Sequence, residues 1–260
     1  MGGITIKEPE DLARMRSAGR VVRAVLNRMR EMVAPGVTTR ELDAEAERLC
    51  LSRGAECLFK GVPSLHGTGP FPGAICASLN EQVVHGIPSD RRIVEGDVVS
   101  IDFGARLDGW CADAAETFIV GEAPEPVRRL VETTRDSLAL AIRLVRPGMM
   151  WSAIAAAIQD HIESAGFSVV RDLAGHGIGR EMWELPSVPN FHSRRMHVRD
   201  FPLMEGITLA VEPMANLGGP GVRCEEDGWT MVTRDRKPSA HFEQTLAITA
   251  EGVEVLTGAG

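Results

Sequence analysis

Residues 101–118 read IDFGARLDGWCADAAETF, and two aspartates, Asp102 and Asp113, stand in a run otherwise composed like a buried hairpin. Asp108-Gly109 supplies a two-residue turn, the strongest short-range hairpin signal. Around that turn Asp102 faces Ala115 and Gly104 faces Asp113. Side chains alternate along a strand, so the two acids share a face as diagonal neighbours about 7–8 Å apart. Val99, Ile101, Phe103 and Ala105 form the opposite, core face.

Two carboxylates on a half-buried face lose hydration and raise each other's pKa. The hairpin alone leaves three outcomes open: two solvated acids on an edge, a protonated pair, or a divalent cation held between them. Further acids favour the cation. Glu212 lies in EGITLAVEP and Glu243 in AHFEQTLAIT, both in strand-like runs. His176 lies in LAGHGIGRE, where flanking glycines let backbone or ligand approach closely. A histidine there is either a satisfied structural residue or a ligand, and the glycine-rich setting favours the ligand. Four carboxylates and one imidazole suit two cations, about 3.5–4 Å apart, that share bridging carboxylates. Hard oxygen donors with a single nitrogen select Mn, Fe, Co or Zn over iron–sulfur or copper.

The elements that must position these residues occur twice. VAPGV at Val33–Val37 and VRPGM at Val145–Met149 each stop a long amphipathic helix, over about 8–33 and 125–145. Pro35 to Gly54 and Pro147 to Gly166 are equally spaced, and each later glycine suits the end of a second helix. EGDVVSIDF at Glu95–Phe103 matches EGITLAVEP at Glu205–Pro213, which sets Asp102 opposite Glu212. Each half also has a His-Gly-Ile, at His85 and His176. Either these short matches are chance or the chain is duplicated; three landmarks in the same order favour duplication. The expectation is an α+β fold and one catalytic domain over 1–260. Its two pseudo-symmetric halves, about 8–120 and 121–257, each carry two helices and then antiparallel strands. A ligand cleft is expected between them.

Bulk properties narrow the partners. The net charge of -8 argues against nucleic acid or an anionic membrane as the main partner. Five cysteines, scattered and without a CxxC pair, suggest free thiols in a reducing compartment. The opening residues lack the apolar core of a signal peptide, and no run approaches the ~18 apolar residues of a membrane span. A cytoplasmic location is expected. The absence of tyrosine has no account here.

In order, the segments NEQVVHGIP, IDFGARLDGWCADAAETF, GHGIGRE, LAVEPM, DGWT and SAHFEQT make a recognisable set. The chain resembles the type I methionine aminopeptidases, metallopeptidases of the pita-bread fold, along nearly its whole length. That resemblance implies two divalent metal ions. Asp102 would chelate one, Asp113 and Glu243 would bridge both, and His176 and Glu212 would complete the second. A hydroxide bridging the metals would attack the peptide, Glu212 would shuttle the proton, and His85 would contact the scissile group. Phe71, Cys76, Met182, Trp183 and Trp229 match substrate-pocket positions, although core packing accounts for the apolar ones equally well. The implied partners are the N-termini of peptides or nascent chains, with transient ribosome association, no DNA and no membrane, and a monomeric enzyme.

The chain departs from the family pattern in one decisive place. Trp183 occupies the position of a second active-site histidine. An indole donates one hydrogen bond, accepts none and cannot carry a proton. Met182 replaces a frequent aromatic, and Gln244 a frequent histidine. The usual pocket tyrosines are absent, with Thr68 and Phe71 nearby; His66 is either a substitute contact or a loop residue. Removal of initiator methionine is therefore set against two alternatives: a paralogue with altered specificity or reduced activity, and a module that only binds N-termini.

Overall fold

The computed structural model describes residues 3–64, 68–192 and 200–258. His66 lies outside them. The first helix, α1 (Pro9–Met32), opens with a reciprocal cap between Glu8 and Asp11 and stops ahead of Pro35-Gly36. Next, α2 (Thr39–Ser52) is capped by Thr38, whose hydroxyl accepts from Glu41 N–H while the Glu41 carboxylate accepts from Thr38 N–H at 2.7 Å. Short strands β1 (Glu56–Cys57), β2 (Cys76–Leu79) and β3 (Gln82–Val84) lead to the long hairpin of β4 (Val98–Leu107) and β5 (Trp110–Ile119). Helices α3 (Glu125–Leu144) and α4 (Trp151–Ser164) follow. The strands β6 (Ser168–Val169), β7 (Gly175–Gly177), β8 (Glu184–Val188), β9 (Thr208–Val211) and β10 (Met214–Asn216) come next. Then come β11 (Val222–Cys224), β12 (Met231–Thr233), β13 (Ser239–His241), β14 (Glu243–Thr249) and β15 (Gly252–Val255). The helix limits agree with the Pro-Gly signals to within about a residue at each end.

A nine-stranded antiparallel sheet runs in the order β1-β4-β5-β14-β9-β7-β8, with β2 added on β4 and β15 on β14. The β4–β5 register is the one the turn chemistry predicts, with Asp102 paired to Ala115 and Gly104 to Asp113. Asp108 and Gly109 both have positive φ, 50° and 77°, as the tight turn requires. Helices α1 and α2 bury Val22, Leu26, Met29 and Leu42 in one core with Val99, Ile101, Phe103 and Ala105. A second core sets α3 and α4 on Leu209, Val211, Leu246 and Ile248. Both helix pairs therefore cover one face of the sheet and leave the acids on the other. No helix of the described residues is long and apolar enough to cross a membrane.

Candidate metal and substrate site

Sheet order assembles the site. Asp102 of β4 and Glu243 of β14 both register with Ala115 of β5, one from each side. Asp113 lies two residues from Ala115 and so projects from the same face. Gln244 pairs with Val211, which leaves Glu212, one residue past β9, beside Glu243. His176 pairs with Ala210, two residues from Glu212 and on the same side. Five side chains from five adjoining strands thus meet on the face away from the helices. One ligand atom each from Asp113, His176 and Glu243 lie within 4.8 Å of one another. His176 Nε2 is 3.8 Å from Glu212 Oε1.

The glycines around His176 serve close approach by backbone, as the sequence suggested. A Cβ on Gly175 would sit 2.3 Å from the Ala210 carbonyl oxygen, and one on Gly177 2.3 Å from that of Leu185. They let three strands close around the histidine. His176 Nδ1 lies 2.9 Å from the Gly177 carbonyl oxygen. A carbonyl only accepts, so Nδ1 carries the proton and Nε2 offers its lone pair to the cleft.

The face is fully buried rather than half-buried: Asp102 and Asp113 are 9% and 2% exposed. Burial, and next the charges of Asp113 and Glu212, push the Asp102 carboxyl well above the usual range. Burial pushes Asp113 up to about 7, opposed by hydrogen bonding with the Asp102 carboxyl and the Ala114 N–H. Glu212 and Glu243 are also raised well above the usual range, chiefly by burial and then by Asp113. Desolvation pulls His176 down, His85 to about 4 and His241 to about 3, so all three imidazoles are neutral at pH 7. Asp102 Oδ1, Asp113 Oδ1 and Glu243 Oε1 are buried with no hydrogen-bond partner among the described residues. Buried carboxylate oxygens left unpaired are costly, and a divalent cation is the ligand that satisfies several of them at once. The donor set therefore fits metal.

A cavity of about 420 Å³ opens onto these acids. Its apolar wall is built from Phe59, Phe71, Cys76 and Met182, with Trp229 packed against them. Phe71 and Trp229 meet edge to face at 5.1 Å, and Trp229 Nε1 donates to the Gly69 carbonyl at 3.2 Å. Cys76 registers with Asp102, and burial followed by that carboxyl keeps its thiol protonated. His85 lines the same cavity, with a positive φ of 59° that is unusual for a side-chain-bearing residue. Trp183 stands at the mouth, 56% exposed, with its ring 6.5 Å from that of His176.

The eleven residues assigned to metal, catalysis and substrate pocket from sequence therefore border one hollow. Thr68, noted beside the pocket, does not line it: it is exposed, with its hydroxyl 3.1 Å from Ser64 Oγ. Gln244 projects from the opposite face, away from the acids, and bonds Thr257 Oγ1 at 2.6 Å. Two residues were missed. Phe59 joins the pocket wall, and nothing local marks it. His241 is buried beside Glu212 at the end of β13, just before β14 begins, and nothing local marks it.

Residues 13–250 match the family model described as metallopeptidase family M24. The chain belongs to that family. As an M24 metallopeptidase it is a divalent-metal hydrolase, and its fold is the pita-bread fold. Over 254 residues it is 44% identical to a methionine aminopeptidase of Clostridium perfringens, which covers 98% of each chain. It is 41% identical to methionine aminopeptidase 1 of Bacillus subtilis, covering 98% of this chain and 99% of that one. The crystal structure of a methionine aminopeptidase from Thermotoga maritima superposes with a TM-score of 0.92 at 40% identity, covering 99% and 100%.

Proposed function

We propose that this M24 metallopeptidase is a methionine aminopeptidase that removes the N-terminal methionine of peptides and nascent proteins with two divalent metal ions. The observation that carries the reading is the adjacency of the acids and His176 to an apolar wall of aromatic and sulfur side chains in one cavity. Full-length identity of 41–44% to methionine aminopeptidases supports catalysis over a module that only binds N-termini.

Asp102, Asp113, His176, Glu212 and Glu243 hold the metals, with Asp113 and Glu243 central to the set. When bound, the metals supply Lewis acidity and lower the pKa of water toward neutrality. The remaining work falls to the chain. Phe59, Phe71, Cys76, Met182 and Trp229 take the methionine side chain, whose polarizable sulfur suits aromatic and thiol walls. The closed end of that pocket fixes the substrate's first residue and sets its amine beside Asp102. His85, neutral, donates a hydrogen bond to the scissile carbonyl oxygen as charge builds there. Glu212 accepts a proton during attack and returns it to the departing amine. Trp183 leaves the opposite side without the usual imidazole donor. On the same reading, one domain of two duplicated halves acts as a monomer in the cytoplasm and meets nascent chains transiently at the ribosome.

The test is hydrolysis of Met-Gly-type tripeptides by reduced protein loaded with Mn or Co. Turnover by wild type that Glu212→Ala abolishes supports the assignment. No product from wild type of verified metal content, or identical rates from the two proteins, refutes it.

A further inference from the structure

Glu212 is flanked by two imidazoles. Its Oε1 lies 3.8 Å from His176 Nε2, and its Oε2 lies 3.8 Å from His241 Nε2. His176 faces the cleft, whereas His241 is only 1% exposed and does not line the cavity. The His241 backbone is pinned on both sides: its N–H donates to Thr117 Oγ1 at 2.9 Å, and its carbonyl accepts from the same hydroxyl at 2.7 Å. Its Cα pairs with Met214, two residues beyond Glu212. At 1% exposure the ring is held by close packing and has little freedom to aim elsewhere. Yet Nε2 has no hydrogen-bond partner among the described residues. The acceptor it faces is the Glu212 carboxylate, at 3.8 Å, to which no described residue makes a hydrogen bond.

We propose that His241 is the positioning residue for Glu212: its Nε2–H points at Oε2 and holds the carboxylate with Oε1 toward the cleft. The inference rests on reading Glu212 as a member of the metal and proton-handling set. Closing 3.8 Å to a hydrogen bond takes a carboxylate shift of about 0.8 Å. The arrangement resolves two anomalies together, an orphaned buried donor and an acid without a donor at the end of a strand. A partner behind a ligand fixes that ligand's orientation, and losing it typically costs ~10–100-fold in metal affinity or activity. His241 does not touch the substrate, so its loss acts through Glu212.

The test compares H241L, which keeps the bulk and removes the donor, with H241Q, which keeps an N–H donor. H241M serves as the donor-free variant if leucine prevents folding. Each full-length protein is measured for Tm, for Mn affinity of the metal-free form by calorimetry, and for kcat and KM on a Met-Gly tripeptide. The donor-free variant is expected to lose about 10–100-fold in Mn affinity and in kcat with KM little changed. H241Q is expected to recover both to within about threefold. Donor-free and H241Q proteins that behave alike at matched Tm, whether both intact or both impaired, overturn the proposal. Wild type that binds Mn but cleaves nothing would sink the peptidase assignment, while the affinity difference between the two variants would still decide the role of His241.

Discussion

Asp102 and Glu243 face each other across Ala115, one strand away on either side, on a single buried face of the sheet. Among the described residues no side-chain cation pairs with either, and each keeps an oxygen without a hydrogen bond. On the proposed reading the pair holds a divalent cation. Asp102→Asn and Glu243→Gln are expected to lower Mn affinity by at least tenfold and to abolish turnover. Both should leave the metal-free protein folded, because each amide replaces a carboxyl of the same shape that burial already holds largely uncharged. Calorimetric titration and Tm together check this, and a variant that binds Mn like wild type contradicts it.

Metal loading is expected to release protons at pH 7. Asp113 is held at about 7, with Asp102, Glu212 and Glu243 higher, so the metal-free site is partly protonated. His176 is already neutral and contributes none. Calorimetry in buffers of different ionisation enthalpy measures the release, which should shrink as pH rises toward 9. Uptake, or no exchange at pH 7, contradicts the assignment.

The same groups set a pH slope for stability without metal. An acid whose folded pKa is raised binds more protons folded than unfolded, so stability falls as pH rises toward the folded value. His85, His176 and His241, lowered by burial, act in the opposite sense, but only below an unfolded value of about 6.5. Above that pH the acids stand alone. The Tm of metal-free protein should therefore fall between pH 6.5 and 8.5, and added Mn should remove the slope. A flat or rising profile in scanning calorimetry would count against the buried acid cluster.

Trp183→His should raise kcat on Met-Gly-type peptides about tenfold or more, since one donor to an intermediate is typically worth ~10²–10³. Trp183→Ala should change kcat little, because the ring is 56% exposed and packs only edgewise on His176. Steady-state kinetics on a panel of second residues separates this rate effect from an effect on specificity. Equal rates for wild type and Trp183→His would show that the missing imidazole is not limiting.

Gly177→Ala is expected to lower both stability and metal affinity. Its Cβ would sit 2.3 Å from the Leu185 carbonyl oxygen, so β7 and β8 must part and carry His176 with them. Overpacking of this kind costs ~1–3 kcal/mol, a Tm loss of several degrees in a chain this size. Unchanged Tm and Mn affinity would show that the strands tolerate the methyl group.

Much of this was legible in the chain read as letters. The Asp108-Gly109 turn set the β4–β5 register and so the shared face of Asp102 and Asp113. The Pro-Gly pairs placed the ends of α1 and α3, and the motifs named the four acids and the imidazole that border one cavity. These are local signals, decided within a turn or a strand by backbone sterics and side-chain alternation. Strand order was decided only in three dimensions. That β14 pairs with β5 depends on contacts between residues more than a hundred positions apart, which no local pattern encodes. From that order follow the 3.8 Å approach of His176 to Glu212 and the burial of Asp102, Asp113 and Glu243. The separate pairing of β13 with β10 brings His241 to the other side of Glu212. Residue types chose the chemistry; the packing of distant strands brought those residues within reach of one another.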